Sequence, residues 1–178
     1  MKTAKAGLTR ARLGPNCDRN LPMNSADDSH PHELPPLDDK ERAQMEVYWY
    51  EGKMLPFIDL LVGFVVGRRD EILHEARGST DSAALREAIK RLVYRRGSVH
   101  MASENRDQKA EMEKECWYRG QRGAHDRSGV KVEWVDNYGK AWRRWRVREY
   151  LFVIDRSEDR LVAHLVVPSA ENDTAATG

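Results

Sequence analysis

Apolar residues recur at helical spacing through the middle of the chain, and good capping residues separate the resulting segments. Asp38 or Asp39 follows two prolines and suits the N-cap of a first helix, which Gly52 ends or bends. Pro56 suits the first turn of a second helix, which Gly67 closes. The apolar stripe of this second helix widens nearly all round, so we expect it to be the most buried element.

Two further helices are predicted over residues 80–96 and 104–118. The first has apolar side chains at i, i+1, i+4, i+5, i+8 and i+9, which is the stripe of an amphipathic helix, and Gly97 suits its left-handed C-cap. The second is mostly charged and has a thin apolar face. We therefore expect it to lie on the surface.

The last third of the chain changes to alternation of apolar and polar residues, which is typical of β-strands. The segment from Val130 to Trp134 places an apolar residue at every second position. Residues 137–140 are predicted to form a turn, and the segments 142–154 and 161–167 are predicted to form longer strands. Pairing these strands across their turns matches apolar with apolar residues, so a three-stranded antiparallel meander is predicted.

Together these elements predict an α+β fold, in which N-terminal helices pack on a C-terminal antiparallel β-meander of three strands or more. Residues 1–37 contain few large apolar groups, so a disordered tail is expected there. Residues 38–168 are predicted to form a single α+β domain, and residues 169–178 a second disordered tail.

In outline, helices followed by a long-stranded meander resemble the cone-shaped nuclear-transport-factor-2-like folds, in which a sheet wraps around a long helix. This resemblance is one of fold alone and implies no function. The competing architecture is a winged helix, with the helices over 80–96 and 104–118 placed before a β wing. The predicted central strand is long and apolar at its end, which favours the meander.

Composition limits the class of protein without indicating an activity. With 178 residues, of which 33% are charged and 40% hydrophobic, the chain has room for one domain with a modest core. A net charge of +1 gives no overall attraction to nucleic acid or membranes, so any charge argument must be local. The basic first residues lack the apolar segment of a secretory signal, and both a targeting role and a partner-binding role for them stay open.

Cysteine use and known motifs exclude several further classes. Cys17 and Cys116 are too few and too far apart for a disulfide framework, which indicates a reducing, cytoplasmic compartment. The longest apolar run, from Met54 to Val66, is shorter than the roughly 20 residues of a membrane-spanning helix, so no membrane association is expected. Phosphate loops, dinucleotide fingerprints and zinc knuckles are absent from the sequence, so neither a cofactor nor a metal is predicted.

Basic and aromatic residues alternate along the predicted central strand, so they project from one face of the sheet. The set comprises Arg144, Arg146 and Arg148, flanked by Trp142 and Tyr150, with Lys131 opposite on the neighbouring strand. Arginine forks between aromatic rings on an open sheet suit phosphates and stacked bases, so this face is a candidate nucleic-acid-binding site. The competing interpretation is a solvent face whose charges are balanced by Glu133 and the acidic helix.

Three further residues are weak candidates for catalysis. In the predicted register Glu149 and His164 are diagonal neighbours on the apolar face, where burial would shift both pKa values and permit acid–base work. The competing interpretation is a structural pair that sets the strand register. Asp59 lies inside the apolar second helix and needs a partner such as Arg148, a place at the polar floor of a cavity or a partly exposed helix face.

Two classes of function follow from these features. The first is a non-enzymatic binding or accessory protein that contacts nucleic acid or a protein partner through the basic, aromatic sheet face. The second is a small cofactor-free enzyme or ligand-binding protein with a cone-shaped α+β pocket near Glu149, His164 and Asp59. A homodimer that buries Trp49 and Tyr50 is a further arrangement. Because no complete catalytic set is visible, we favour the binding module and leave enzyme activity open.

Overall fold

The computed structural model describes residues 37–123 and 125–166, and every regular element in these ranges is a helix. In chain order the helices are α1 (Asp39–Tyr50), α2 (Leu55–Gly67), α3 (Arg69–Glu75), α4 (Ser82–Arg96), α5 (Met101–Gly120), α6 (Arg127–Arg156) and α7 (Glu158–Val166). The tails predicted over residues 1–37 and 169–178 lie outside the described residues, except for Leu37.

The predicted β-meander is wrong, and with it the α+β fold class. Residues 127–156 form one continuous helix of 30 residues, about 45 Å long at the usual rise per residue. The predicted third strand is helix α7. Since the described residues contain no strand, neither the cone-shaped outline nor a winged helix with a β wing describes this fold.

Burial along α6 explains the error. Of the three alternating apolar residues, Val130 and Trp134 are buried, whereas Val132 is 63% exposed. Val130 and Trp134 are four residues apart, and the partly buried Tyr138 and Trp142 extend the series at the same spacing. This spacing is helical, and it passes straight through the predicted turn.

The helix ends follow the predicted signals more closely. Asp38 is the N-cap of α1 and forms a capping box with Glu41, each side chain accepting from the other residue's backbone N–H. Pro56 lies in the first turn of α2, and Gly97 ends α4 with φ +64°. The N-cap of α4 is Asp81, so this helix begins at Ser82, two residues after the predicted start at residue 80.

The core lies among α1 to α4, α7 and the C-terminal part of α6, and we call this part of the fold the body. Its buried residues on α6 are Val147, Tyr150, Val153 and Ile154. Helix α2 buries one face rather than its whole circumference, because Leu55 and Val66 are more than half exposed. Among the described helices, none combines the length and apolar character needed to cross a bilayer.

Helix α5 packs along α6 and contributes no buried residue to the body core. We call α5 together with α6 residues 127–146 the arm. Its interior is small, and Cys116 of α5 and Val130 and Trp134 of α6 are buried. Ion pairs between the two helices add to this packing, including Arg119 with Glu133 at 2.5 Å. The charged α5 therefore lies on the surface, as predicted.

Gly139 offers a direct test of the continuous α6. A Cβ atom at this position would meet its nearest side-chain atoms at 3.7 Å, which is ordinary van der Waals contact. Gly139→Ala should therefore raise the free energy of unfolding by about 0.5–1 kcal/mol, because alanine loses less backbone entropy in a helix. Urea unfolding followed by circular dichroism measures the change.

Gly97→Ala is the matched control, because Gly97 has a positive φ that L-residues adopt at a cost. It should lower the free energy of unfolding by about 1 kcal/mol. A destabilising Gly139→Ala substitution would contradict a helix through this position.

Candidate functional site

The arginines of the predicted basic row do not share one face, because Arg146 lies about 160° around the helix from both Arg144 and Arg148. Arg146 is largely buried and lies 3.1 Å from the Asp107 carboxylate. Arg148 donates a hydrogen bond to Glu41 and is also largely buried. Arg144 is exposed. The structure therefore does not bring the three arginines to one surface.

The other members of the predicted site are also dispersed. Lys131 pairs with Glu113 on the arm. Trp142 is partly buried, and the Arg146 guanidinium lies 5.0 Å from its ring centroid. Tyr150 is fully buried in the body. A stacking surface for bases thus lacks its aromatic components.

The three weak catalytic candidates lie apart from one another. Asp59 is exposed on α2 and accepts a hydrogen bond at 2.9 Å from Arg160 rather than from Arg148. His164 is exposed on α7. Glu149 is buried on α6. The cleft that Glu149 lines includes neither Asp59 nor His164, and no hydrogen bond or ion pair joins Glu149 to His164 among the described residues.

A cluster of exposed cations lies on one turn of α6. Lys140, Arg143 and Arg144 are spaced i, i+3 and i+4, which makes them neighbours on the helix surface. None of them has a hydrogen-bond or ion-pair partner among the described residues. We call these three residues the basic turn.

The cations of the basic turn differ from many other cations of the described residues, which lie close to a carboxylate. Carboxylates lie within 4 Å of arginines across the body and the arm, as in the pairs Arg91–Glu75, Arg96–Glu71, Arg119–Glu115 and Arg156–Glu46. Other unpaired cations are scattered, for example Lys40 and Arg42 on α1. No other described turn gathers three of them.

One exposed valine lies on the side of α6 that carries Arg143. Val132 is 63% exposed and lies three helical turns before Arg143 on that side. Val135 is 43% exposed but lies about 140° around the helix from Lys140, so it faces away from the basic turn.

A second unusual group surrounds the buried carboxylate of Glu149. Its Oε1 accepts a hydrogen bond at 2.9 Å from the Trp145 indole N–H, and its Oε2 lies 3.4 Å from Arg146 Nε. The same guanidinium is also paired with Asp107. Burial raises the pKa of Glu149 to about 7, although Arg146 and Trp145 act in the opposite direction.

Glu149 and Arg146 line a cleft of about 430 Å³ between the arm and the α1–α2 turn. Phe57 lies against the guanidinium of Arg146, with 4.6 Å between that group and the ring centroid. The remaining apolar wall consists of Tyr48, Met54, Pro56 and Leu60, and the polar rim of Lys53, Arg106 and Glu111. This is the size at which clefts hold small molecules.

The predicted strands separated the residues that form these two groups. They placed Lys140 in a turn and Arg143 on the opposite face from Arg144, whereas the i, i+3 and i+4 spacing of a helix makes the three residues neighbours. The i, i+3 spacing of Arg146 and Glu149 likewise marks a helical ion pair. The role of Asp107 depends on how α5 packs along α6, which no local pattern indicates.

Within the described ranges, no three His, Cys, Asp or Glu side chains are placed to hold a metal ion together. A scan against protein-family models found no match, and searches of curated proteins and of solved structures found no similar chain. Function must therefore be argued from the basic turn and the Glu149 cleft themselves.

The raised pKa of Glu149 predicts a stability that falls with rising pH. The folded protein retains this proton up to about pH 7, whereas the unfolded chain loses it near the ordinary value of 4.5. Raising the pH across this window therefore favours unfolding, by about 3 kcal/mol in total at 1.36 kcal/mol per unit. In Glu149→Gln this contribution is absent, so the variant should gain stability relative to the wild type as the pH rises. Chemical unfolding across the pH series measures the difference.

Glu133→Gln is a control with the opposite sign, because the Arg119 guanidinium lowers the pKa of Glu133. The wild type should gain stability relative to this variant as the pH rises through the acidic range. A Glu149→Gln difference that stays constant with pH would mean that folding does not raise the pKa of Glu149.

Proposed function

We propose that this protein is a non-enzymatic binding module that docks an acidic protein partner on the basic turn of α6. The observation that carries the proposal is the set of three neighbouring cations, Lys140, Arg143 and Arg144, which have no carboxylate partner in the part of the chain that the structure describes. Like charges one helical turn apart repel each other, so the cluster reduces helix stability unless an external anion compensates it.

An exposed valine on the side of Arg143 favours a protein over a nucleic acid as this partner. Val132 exposes apolar surface three helical turns before Arg143, and protein interfaces combine an apolar centre with arginine at its edge. Phosphate groups would gain nothing from this valine. An acidic amphipathic helix or loop would match both parts of the face.

The charges around the basic turn also argue against a long polyanion, such as a nucleic acid, as the partner. Lys131 and Arg119 on the arm are already paired with carboxylates, and Asp136 lies one turn before Lys140 on the same side of α6. A nucleic-acid backbone extending beyond the basic turn would therefore meet neutralised or acidic surface. Three phosphate contacts alone give weak, strongly salt-dependent binding.

The alternatives from the sequence have less support. The pocket enzyme required Glu149, His164 and Asp59 to meet, and they lie apart. The homodimer required Trp49 and Tyr50 together, but Trp49 packs on Phe152 while Tyr50 is 80% exposed. A cytoplasmic location remains part of the proposal, supported by the low cysteine content.

Charge reversal on the basic turn should abolish partner binding. With the full-length chain as bait, quantitative affinity capture from the source organism should recover a partner that Arg143→Glu/Arg144→Glu fails to retain. The purified partner should then bind this double variant at least about tenfold more weakly, because close charge pairs contribute more than 1.4 kcal/mol. Binding should also weaken with added salt.

Lys40→Glu/Arg42→Glu makes the same charge change on α1, where the two cations are likewise unpaired, and it should retain the partner. Equal retention by both double variants would refute the proposal. So would salt-dependent binding of a labelled single-stranded oligonucleotide that depends on Arg143 and Arg144, because the partner would then be a nucleic acid.

A further inference from the structure

The cleft beside Glu149 has more negative than positive charge in its interior. Arg146 is the cation closest to both carboxylates, and it is shared by Asp107 at 3.1 Å and Glu149 at 3.4 Å. The side chains of Arg146 and Glu149 are 13% and 10% exposed, so water compensates their charges poorly. With both carboxylates ionised, the inner group has a net charge of −1.

A proton on Glu149 restores neutrality in the empty cleft, which agrees with its raised pKa. An ammonium group placed against the carboxylate would do the same and would replace that proton. Charge balance inside the cleft therefore favours a cationic ligand over water. A carboxylate or phosphate ligand would instead face Asp107, Glu111 and Glu149 together.

The walls of the cleft suit an apolar body attached to such a cation. Met54, Phe57 and Leu60 provide aliphatic and aromatic surface next to Glu149. Tyr48 presents its ring on the same wall, and Lys53 Nζ lies 4.9 Å from the centroid of that ring. An ammonium group thus already finds a cation–π contact at the edge of this cleft.

The cations at the rim do not cancel this preference. The side chain of Lys53 is 45% exposed and pairs with Glu51 at 2.5 Å. The side chain of Arg106 is 79% exposed and lies 3.8 Å from Asp107. Both charges are screened by water far more than the buried Glu149.

We propose that this cleft is a binding site for a small organic amine, with the ammonium group against Glu149 and the apolar or aromatic body against Phe57, Leu60 and Met54. The site is separate from the basic turn and does not depend on the proposed docking function. Its cation requirement follows from one guanidinium shared between two carboxylates.

Binding should depend on pH, because the amine and a proton compete for Glu149. The charged and titratable groups that face this carboxylate are Tyr48 from α1, Lys53 from the α1–α2 turn, Arg106, Asp107 and Glu111 from α5, and Arg146 and Tyr150 from α6. With a pKa of about 7, Glu149 is mostly protonated at about pH 6 and mostly ionised at about pH 8. The affinity for an amine should therefore rise about tenfold between these values.

Isothermal titration calorimetry with tyramine tests the site, because tyramine joins an ammonium group to an aromatic ring. The wild-type full-length protein should bind it saturably, more tightly at about pH 8 than at about pH 6, and with proton release near pH 7. The matched neutral probe is 4-ethylphenol, which has the same ring without the amine and should bind at least about tenfold more weakly.

Two variants separate the carboxylate of the cleft from a carboxylate elsewhere on α6. Glu149→Gln should lower tyramine affinity at about pH 8 by at least about tenfold and abolish its pH dependence. Glu133→Gln, which changes a carboxylate outside the cleft that is paired with Arg119, should leave the affinity within about twofold. Unfolding measurements on both variants establish that they are folded.

Three results would overturn the proposal: no saturable binding of tyramine by the wild type, equal binding of 4-ethylphenol, or unchanged affinity in folded Glu149→Gln. Loss of protein-partner binding in the Arg143→Glu/Arg144→Glu variant bears only on the docking function. That variant should bind tyramine like the wild type, so the two proposals fail independently.

Discussion

Tyr150 is a buried contact between the body and the arm. Its ring is fully buried and meets Phe57 of α2 edge-on, with 5.4 Å between the centroids. Its hydroxyl donates at 3.0 Å to Glu104 of α5, and the same Glu104 oxygen accepts from the backbone N–H groups of Val99 and His100 where α5 begins. One side chain thus fixes α2, α5 and α6 relative to one another. The cleft beside Glu149 opens next to this junction, so its shape depends on the same contact.

Over most of the described surface, charged side chains form pairs of opposite sign. The basic turn and the Glu149 cleft differ, because each has an excess of one sign of charge. The numbers of acidic and basic residues are nearly equal, so the net charge is too small for long-range attraction of a charged partner. Recognition of a charged group must therefore come from a local excess of one sign of charge. Within the described residues, the basic turn has three cations and no carboxylate paired with them. The cleft has two carboxylates, Asp107 and Glu149, around Arg146. An external charged group gains the most binding energy where folding leaves a local charge of the opposite sign unneutralised.

The predicted sheet failed because period-two alternation and helical spacing share residues over short windows. Val130, Val132 and Trp134 fit a strand as a set of alternating residues, and Val130 with Trp134 also fits helical spacing. Only Val130 and Trp134 are buried, which is the helical pattern. Gly139 after Asn137 resembles a turn, yet a glycine inside a helix is tolerated when neighbouring contacts hold it. Once α6 is a single helix, the same residues divide differently between surface and interior. The predicted arginine row and the predicted Glu149–His164 pair both depended on strand geometry, so neither forms on a helix.

Features that depend on a few neighbouring residues can be predicted from the amino-acid order alone. The capping box at Asp38, Pro56 in the first turn of α2, the buried stripe of α4 and the left-handed Gly97 act through local backbone and side-chain chemistry. Which cations are neutralised depends instead on helix packing, because Arg146, Arg148 and Arg156 pair with carboxylates on distant helices. The burial of Glu149 is of the same kind. An ion pair or a desolvated charge needs two chain segments to meet, and their meeting follows from how the helices pack.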